Sequence, residues 1–545
     1  MFFRSIPPFD FLMKTERLQE YFTVFCITAA GVLGGVHCAQ LAGKGDFKSL
    51  GFIAAGIEVL LLCLGMKTRI WMLIPLTWNL KSQSFLIPIP LSVHDVAIAL
   101  SFGVFLIFTA FKLIRIRPKG NFGDFLMWVN MAWLAVAYIR NPVGVNALGT
   151  DRVGGRPYFL VLCALMGYWV LTRVVANVKT ARLLPGLILS GVCFVTALSL
   201  VAYKIPDTVP VLSHIYSGVQ QTSYNPDADQ FAADASSGED SLNDRVDTML
   251  DFGLVTIGLL CAFYNPVNLL NPVVFWRFVL FIASWIAILA SGHRLGIVVA
   301  LWTIFICSYF RNGLLELMRM SIFFLPVLGI LVMGHGKLFE LPLVAQRSLS
   351  FLPGNWSHVA VQNAQDSNDW RFQMWDKVWH SNKYIHNKVL GDGFGTSQKA
   401  QDEIVDMMNE GRVEEAGMEG QLINGGFHSG PLTTIRTVGL VGLVPFYLWM
   451  MYLARYGYRL IRFSQGTPFF PVALYFGGGA LFAPFFFTFV FGAFEGDLAQ
   501  TVLGAGMLKL VYQSIEAYKN RLEEESLTEK LQLRNSLQDL VPADA

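Results

Sequence analysis

The feature that most restricts this chain is a succession of apolar stretches. A helix needs roughly 20 apolar residues to cross the hydrocarbon core of a bilayer, and about 14 stretches meet that rule. They lie near 20–42, 50–66, 69–82, 93–114, 122–139, 157–177, 183–203, 249–264, 270–290, 295–310, 319–335, 431–454, 468–494 and 498–514. The third is short and runs into Ile87-Pro88-Ile89-Pro90, which suits a re-entrant segment, and the Phe/Gly-rich run at 468–494 suits one tilted helix. Inside lipid every backbone N–H and C=O must be paired within the protein, and runs of this length do so as helices. The expected fold is all-α: a polytopic transmembrane helical bundle of about 12–14 spans with a large, partly helical external (periplasmic) loop.

Composition agrees and removes several classes of function. Hydrophobic residues make up 54% of the chain and charged residues 15%, against about 25% charged in soluble proteins. The 41 Lys and Arg nearly balance the 39 Asp and Glu. The chain is therefore neither a strongly basic nucleic-acid binder nor an acidic disordered chain. A lipid bilayer is an expected partner and nucleic acid is not. The seven cysteines, Cys26, Cys38, Cys63, Cys163, Cys193, Cys261 and Cys307, lie inside apolar runs with no CxxC. That pattern supports neither a disulfide framework nor a zinc site. Residues 1–19 carry Arg4, Lys14 and Arg17, and no small-residue cleavage site follows the first span. That span is expected to stay as an anchor.

Positive charge in short loops sets orientation. Lys67 and Arg69; Lys112, Arg115, Arg117 and Lys119; Arg173, Lys179 and Arg182; Arg311 and Arg319; and Arg455, Arg459 and Arg462 all fall on one side if the amino terminus is cytoplasmic. Both termini are then cytoplasmic. The acidic stretch 226–251 and the loop at about 336–430 are external. The chain divides into an amino-terminal transmembrane half (1–248), further spans (249–335), the external loop (336–430), carboxyl-terminal spans (431–514) and a charged cytoplasmic tail (515–545). The halves show no internal repeat, which counts against a secondary transporter.

The external loop is too long to be a mere connector, and it carries Trp356, Trp370, Trp375 and Trp379. Ser367-Asn368-Asp369 reads as a helix start, placing Arg371 in a first turn. There free N–H groups and the helix dipole add to its charge and favour an anion; a plain surface arginine is the alternative. Gly391-Asp392-Gly393-Phe394-Gly395 lacks the Lys-Ser/Thr of a nucleotide loop and reads as a tight turn. His428, in Gly425-Gly426-Phe427-His428-Ser429-Gly430-Pro431, falls where the chain re-enters the membrane, with Ser429 as N-cap and Pro431 in the first helical turn. Its imidazole suits a general base on a hydroxyl, or is simply a wet interfacial histidine. His380 and His386 are rivals. No HExxH occurs, and no metal or cofactor is expected.

The third element is Ser291-Gly292-His293-Arg294-Leu295-Gly296, at the external end of a span. An arginine there either snorkels or faces a polar cavity. Its planar fork matches phosphate oxygens. Two arginines and a histidine from separate regions thus fall on one side. They suit a lipid-linked phosphate donor and a hydroxyl acceptor.

These segments resemble the O-antigen ligase / O-antigen polymerase superfamily. Ser291 to Gly296 is similar to its small-x-x-Arg-x-Gly motif. Arg371 with Trp375 and then Gly391 to Gly395 is similar to its Arg…Trp…Gly-x-Gly-x-Gly run. His428-Ser429, Thr433 and Gly439-Leu440-Val441-Gly442-Leu443 are similar to its His-Asn…Gly-Leu-x-Gly ending, with Ser429 in place of Asn. The match covers roughly 250–450. The resemblance implies a metal-independent, inverting glycosyltransferase of the bacterial inner membrane. Its donor would be an undecaprenyl-diphosphate-linked glycan and its acceptor a glycan or lipid A–core. Arg294 and Arg371 would hold the diphosphate and His428 would act as base, with Arg140, Arg152, Arg156 and Arg347 as further sugar or phosphate ligands. Ligase and polymerase are not separated by sequence. The alternative is a transporter or flippase of envelope polysaccharide precursors using Glu58, Asp124 and Arg277; a non-catalytic assembly partner is a third reading.

Overall fold

The computed structural model describes residues 65–82, 91–114, 120–142, 154–219, 246–395 and 398–539, with isolated positions before residue 65. Contacts divide the chain into two compact units, residues 1–70 and 71–545; the second carries every feature described below. The expected spans 20–42 and 50–66 and the Ile87-Pro90 stretch lie outside the described residues.

The second unit is a helical bundle. In chain order its main helices are α1 (Val93–Ala110), α2 (Phe122–Arg140), α3 (Arg156–Leu171), α4 (Val178–Lys204), α5 (Thr248–Phe263), α6 (Phe275–Ala290), α7 (Arg294–Asn312) and α8 (Leu314–Gly334). The segment 336–430 holds α9 (Leu343–Leu349), α10 (His358–His380), α11 (Gln398–Asn409) and α12 (Val413–Ile423), and α13 (Gly430–Ser464), α14 (Phe470–Phe485) and α15 (Phe494–Asp539) follow. Among the described residues, seven helices are long and apolar enough to cross a membrane: α1, α2, α4, α7, α8, α13, and α14 with its extension to Val490. Three shorter apolar helices, α3, α5 and α6, accompany them. The protein is thus a multi-pass, all-α membrane protein. Leu314, Met318, Ile322, Leu325 and Ile330 of α8 are all exposed, which suits a helix facing lipid.

Local chemistry explains the boundaries. Ser92 and Asp95 form a capping box on α1, and Asn121 and Asp124 form one on α2. The expected span at 69–82 is not continuous. Leu73–Leu76 is one turn, closed when Thr77 N and Oγ1 both return to the Leu73 carbonyl (3.0 and 2.8 Å). The run 468–494 does form one span-length helix, Phe470–Val490, which widens after Pro484 into a π-helical turn at Phe486–Val490 and ends at the extended Phe491. Helix α15 runs unbroken through Asp539, from the expected last span into the expected tail. Helices on either side of residue 248 pack together: α3 on α15, α2 on α13, and α4 on α5.

The longest membrane helix, α13, breaks at Gly439 (φ 69°, ψ 178°). A break exposes backbone groups that lipid cannot satisfy, and here residues 388–393 satisfy them. Leu440 N donates to Lys388 O (2.9 Å) and Val441 N to Val389 O (3.1 Å). In return Arg436 O accepts from Asp392 N (2.6 Å), and Thr437 O from Gly393 N (2.9 Å). Val438 O accepts from the Trp133 indole (2.6 Å). The Gly391–Gly395 turn and the Gly439–Gly442 run are therefore one backbone crossing. A Cβ on Gly391 would sit 2.5 Å from Gly439 N, and one on Gly439 would overlap the Val389 carbonyl. We expect Gly439→Ala to lose on the order of 2–4 kcal/mol, from the glycine-only backbone conformation plus the overlap. A thermal melt in detergent checks this; an unchanged midpoint contradicts it.

Candidate functional site

One end of the bundle gathers the ends of many helices. Arg140, the last residue of α2, donates to the carbonyls of Leu390 (3.0 Å) and Gly391 (3.2 Å). Before α3, Gly154 N donates to Phe394 O (2.8 Å). His293, before α7, meets Asp247, before α5, at 2.9 Å. Phe494 N, opening α15, donates to Thr433 Oγ1 of α13 (3.2 Å). At the opposite end lie Arg173, Arg311, Arg319, Arg455, Arg459 and Arg462, by the direction of the helices that carry them.

Arg294 stands in the first turn of α7 because Ser291-Gly292 makes a tight corner. Gly292 has φ 70°, and the buried Ser291 Oγ donates to Ile288 O (2.7 Å). Gly296 completes the motif by packing: a Cβ there would meet Leu250 of α5 and Ile288 of α6. The Arg294 guanidinium donates through Nη2 to Ala364 O and Asn368 Oδ1 of α10, both at 3.2 Å.

Helix α10 starts earlier than expected. Ser357, not Ser367, caps it, accepting from Ala360 N (3.2 Å). Arg371 therefore lies in mid-helix, where N–H groups are already bonded, and the first-turn dipole argument made for it fails. The argument passes to Arg294, which does occupy a first turn. Arg371 follows Asn368 by three residues and Ala364 by seven, so all three share one face of α10. The charge of Arg371 acts on Arg294. Trp375, four residues further on, donates its indole N–H to Phe427 O (2.8 Å), the carbonyl just before His428.

His428 has φ 47°, a left-handed conformation uncommon outside glycine. Its ring lies 5.8 Å from Trp370 and 5.5 Å from Phe491, centre to centre. Its Nε2 is 2.8 Å from the Gln421 side-chain nitrogen. Ser429 holds the N-cap position of α13 without a side-chain cap bond, and its carbonyl accepts from Thr433 N and Oγ1 (both 3.0 Å). Arg294, Arg371 and His428 are thus brought together through α10. The rivals stand apart: His380 pairs with Asp376 (3.1 Å) and His386 with Asp392 (3.6 Å), both well exposed. Of the further arginines, Arg140 is committed to carbonyls, Arg152 lies outside the described residues, Arg156 opens α3, and Arg347 has a buried Nη1 without a hydrogen-bond partner. No group of three or more His, Cys, Asp or Glu suited to a metal occurs among the described residues.

Sequence reasoning missed Arg436 and Gln421. Arg436 is buried and donates to Ile423 O (2.7 Å). A charge in an otherwise apolar helix was the available signal. Gln421 carries no such mark. An apolar cavity of about 470 Å³ also opens within the bundle, walled by Trp302, Leu474, Tyr475 and Phe482 among others, with Asp497 of α15 contributing.

Compared with models of known protein families and with curated proteins, the chain matches none. Fold and site define a multi-pass helical membrane protein with two arginines and a histidine convergent at one end.

The segment carrying Gln421 is held by charge. Glu419 accepts from Lys383 (2.6 Å), Lys377 (3.3 Å) and Tyr384 (3.0 and 3.1 Å). Burial pushes its carboxyl up, but the bonds from Lys383 and Tyr384 and the two lysine charges outweigh that and hold it below its ordinary value. A depressed carboxylate stabilises above its unfolded pKa, about 4.3, and that contribution is lost as pH falls through the folded value. Glu419→Gln should cost about 1–2 kcal/mol at neutral pH, with the difference from wild type shrinking below about pH 4. Hydrogen exchange of α12 as a function of pH reads this, and a constant difference would contradict it.

Proposed function

We propose that this chain is a membrane glycosyltransferase of the O-antigen ligase/polymerase type in the bacterial inner membrane, with both termini cytoplasmic. It transfers a glycan from an undecaprenyl-diphosphate donor to an acceptor sugar hydroxyl, on a glycan or lipid A–core, at the external face. The observation that carries the reading is that Arg294 bonds to the face of α10 that also carries Arg371, while His428 lies beside Trp370 of the same helix. The charge of Arg371 acts on Arg294, and both guanidinium groups would attract a bound anion. A diphosphate is such an anion, and the guanidinium fork matches its oxygens.

The chemistry then assigns itself. His428 takes the proton of the acceptor hydroxyl as that oxygen bonds to the sugar's anomeric carbon. The bond from that carbon to the diphosphate breaks with its electron pair on the departing oxygen. Arg294 and Arg371 stabilise the charge as it develops. Trp370 and Phe491 flank the imidazole. The apolar cavity suits the isoprenoid chain of such a donor.

The transporter reading loses its support. Asp124 belongs to the capping box of α2 and binds Lys509 (2.5 Å) and Tyr168. Arg277 lies in the first turn of α6 and stacks on Tyr264 at 3.8 Å. Neither stands free in mid-bundle, and Glu58 lies in the other unit.

The test is mass analysis of lipid-linked and transferred glycans in cells. His428→Ala should lower transfer by about 10²–10⁴-fold while the protein still inserts. Arg371→Lys should also impair transfer, since an ammonium cannot make the paired bonds. Normal glycan in the His428→Ala cells would refute the assignment of the base. Single repeats accumulating in a deletion strain indicate a polymerase, and full-length chains a ligase. Orientation is read separately. A cysteine at Asp376 should label from outside intact spheroplasts and one at Glu523 should not; the reverse pattern excludes an external site.

A further inference from the structure

Helix α12 ends in a way that aims one side chain at the imidazole. Gly425 turns left-handed (φ 81°), its N–H returns to Leu422 O (3.1 Å), and Gly426 N returns to Gln421 O (2.8 Å). These paired bonds close the helix end and fold the chain back on itself. They bring His428 against the side chain of Gln421, seven residues earlier. Both sides of the contact are fixed. Arg436 holds Ile423 O, the last residue of α12, and a Cβ on Gly425 would meet its guanidinium at 2.8 Å. Phe427 is fully buried and its carbonyl is held by Trp375. Glu419, two residues before Gln421, ties α12 to Lys377 of α10.

We propose that Gln421 is the positioning residue of His428, setting the plane and the tautomer of its ring; this rests on the reading of His428 as the base. A neutral imidazole has one N–H and one lone pair, on different nitrogens. The Gln421 amide lies 2.8 Å from Nε2, and the face it presents decides which ring nitrogen carries the proton. With its oxygen toward Nε2 it accepts from Nε2–H and leaves the lone pair on Nδ1 to take the hydroxyl proton, so the role of base selects this face. The same oxygen accepts from Nε2–H before and after Nδ1 is protonated, so the ring keeps its plane through the transfer. A carboxylate would hold the same N–H form and stabilise the imidazolium more strongly.

Solid-state ¹⁵N spectra of histidine-labelled protein in nanodiscs test this, with the His428 signals identified by their loss in His428→Ala. Wild type should show one neutral tautomer at His428, and Gln421→Leu a mixture of two. Gln421→Glu, which keeps the shape, should show the Nε2–H form. Its carboxylate stabilises the imidazolium, so the rise of transfer rate with pH should move to higher pH. Gln421→Leu should transfer glycan roughly three- to tenfold more slowly, the worth of one ordinary hydrogen bond. A mixed-tautomer spectrum already in wild type, or one tautomer in all three proteins, overturns the proposal. Because the spectra need no substrate, a single wild-type tautomer in a protein that transfers no glycan refutes the enzymatic reading and leaves the tautomer assignment standing.

Discussion

The break of α13 at Gly439 is the constraint on which the rest of the structure depends. A helix interrupted in a membrane protein releases donors and acceptors that must be met by protein. Here Lys388, Val389, Asp392 and Gly393 meet them. The exchange works because two glycines cross where no Cβ fits. One joint thereby docks the segment between α8 and α13 onto the membrane domain, and that docking helps fix where α10 and α12 lie.

Helix α10 is the organiser of the site. Arg294 grips it at Ala364 and Asn368, Arg371 extends the same face, and Trp375 reaches the carbonyl preceding His428. Beneath it a small apolar core joins Met374, Val378, Tyr384, Ile385, Leu422 and Phe427. Burying those side chains holds the polar residues above them at fixed angles. A catalytic constellation needs this kind of rigidity more than it needs additional charge.

Charge is arranged differently at the two ends of the bundle. At the opposite end Asp124, Lys509 and Tyr168 form a closed, satisfied group that ties α2, α3 and α15 together. At the site end Glu419 and Lys377 likewise tie α12 to α10, while the charge of Arg371 acts on Arg294. The ion-paired groups hold helices, and the two guanidinium groups are the cations to which the proposed chemistry is assigned.

The sequence by itself determined the fold class and most span positions, because apolar runs bounded by charge and capping residues leave the backbone few alternatives in lipid. It also singled out Arg294, Arg371 and His428 by type and side. It placed the cap of α10 ten residues late, since Ser367-Asn368-Asp369 imitates a cap that Ser357 supplies. Nor did it reveal that two glycine motifs are one joint. Their meeting depends on residues about 50 apart in sequence, and no local pattern encodes such a contact. Gln421 was invisible for the same reason: a glutamine acquires its role from what it touches. Tertiary structure alone decided which residues face one another, because the geometry of a site is set by packing between elements and not by the propensities within them.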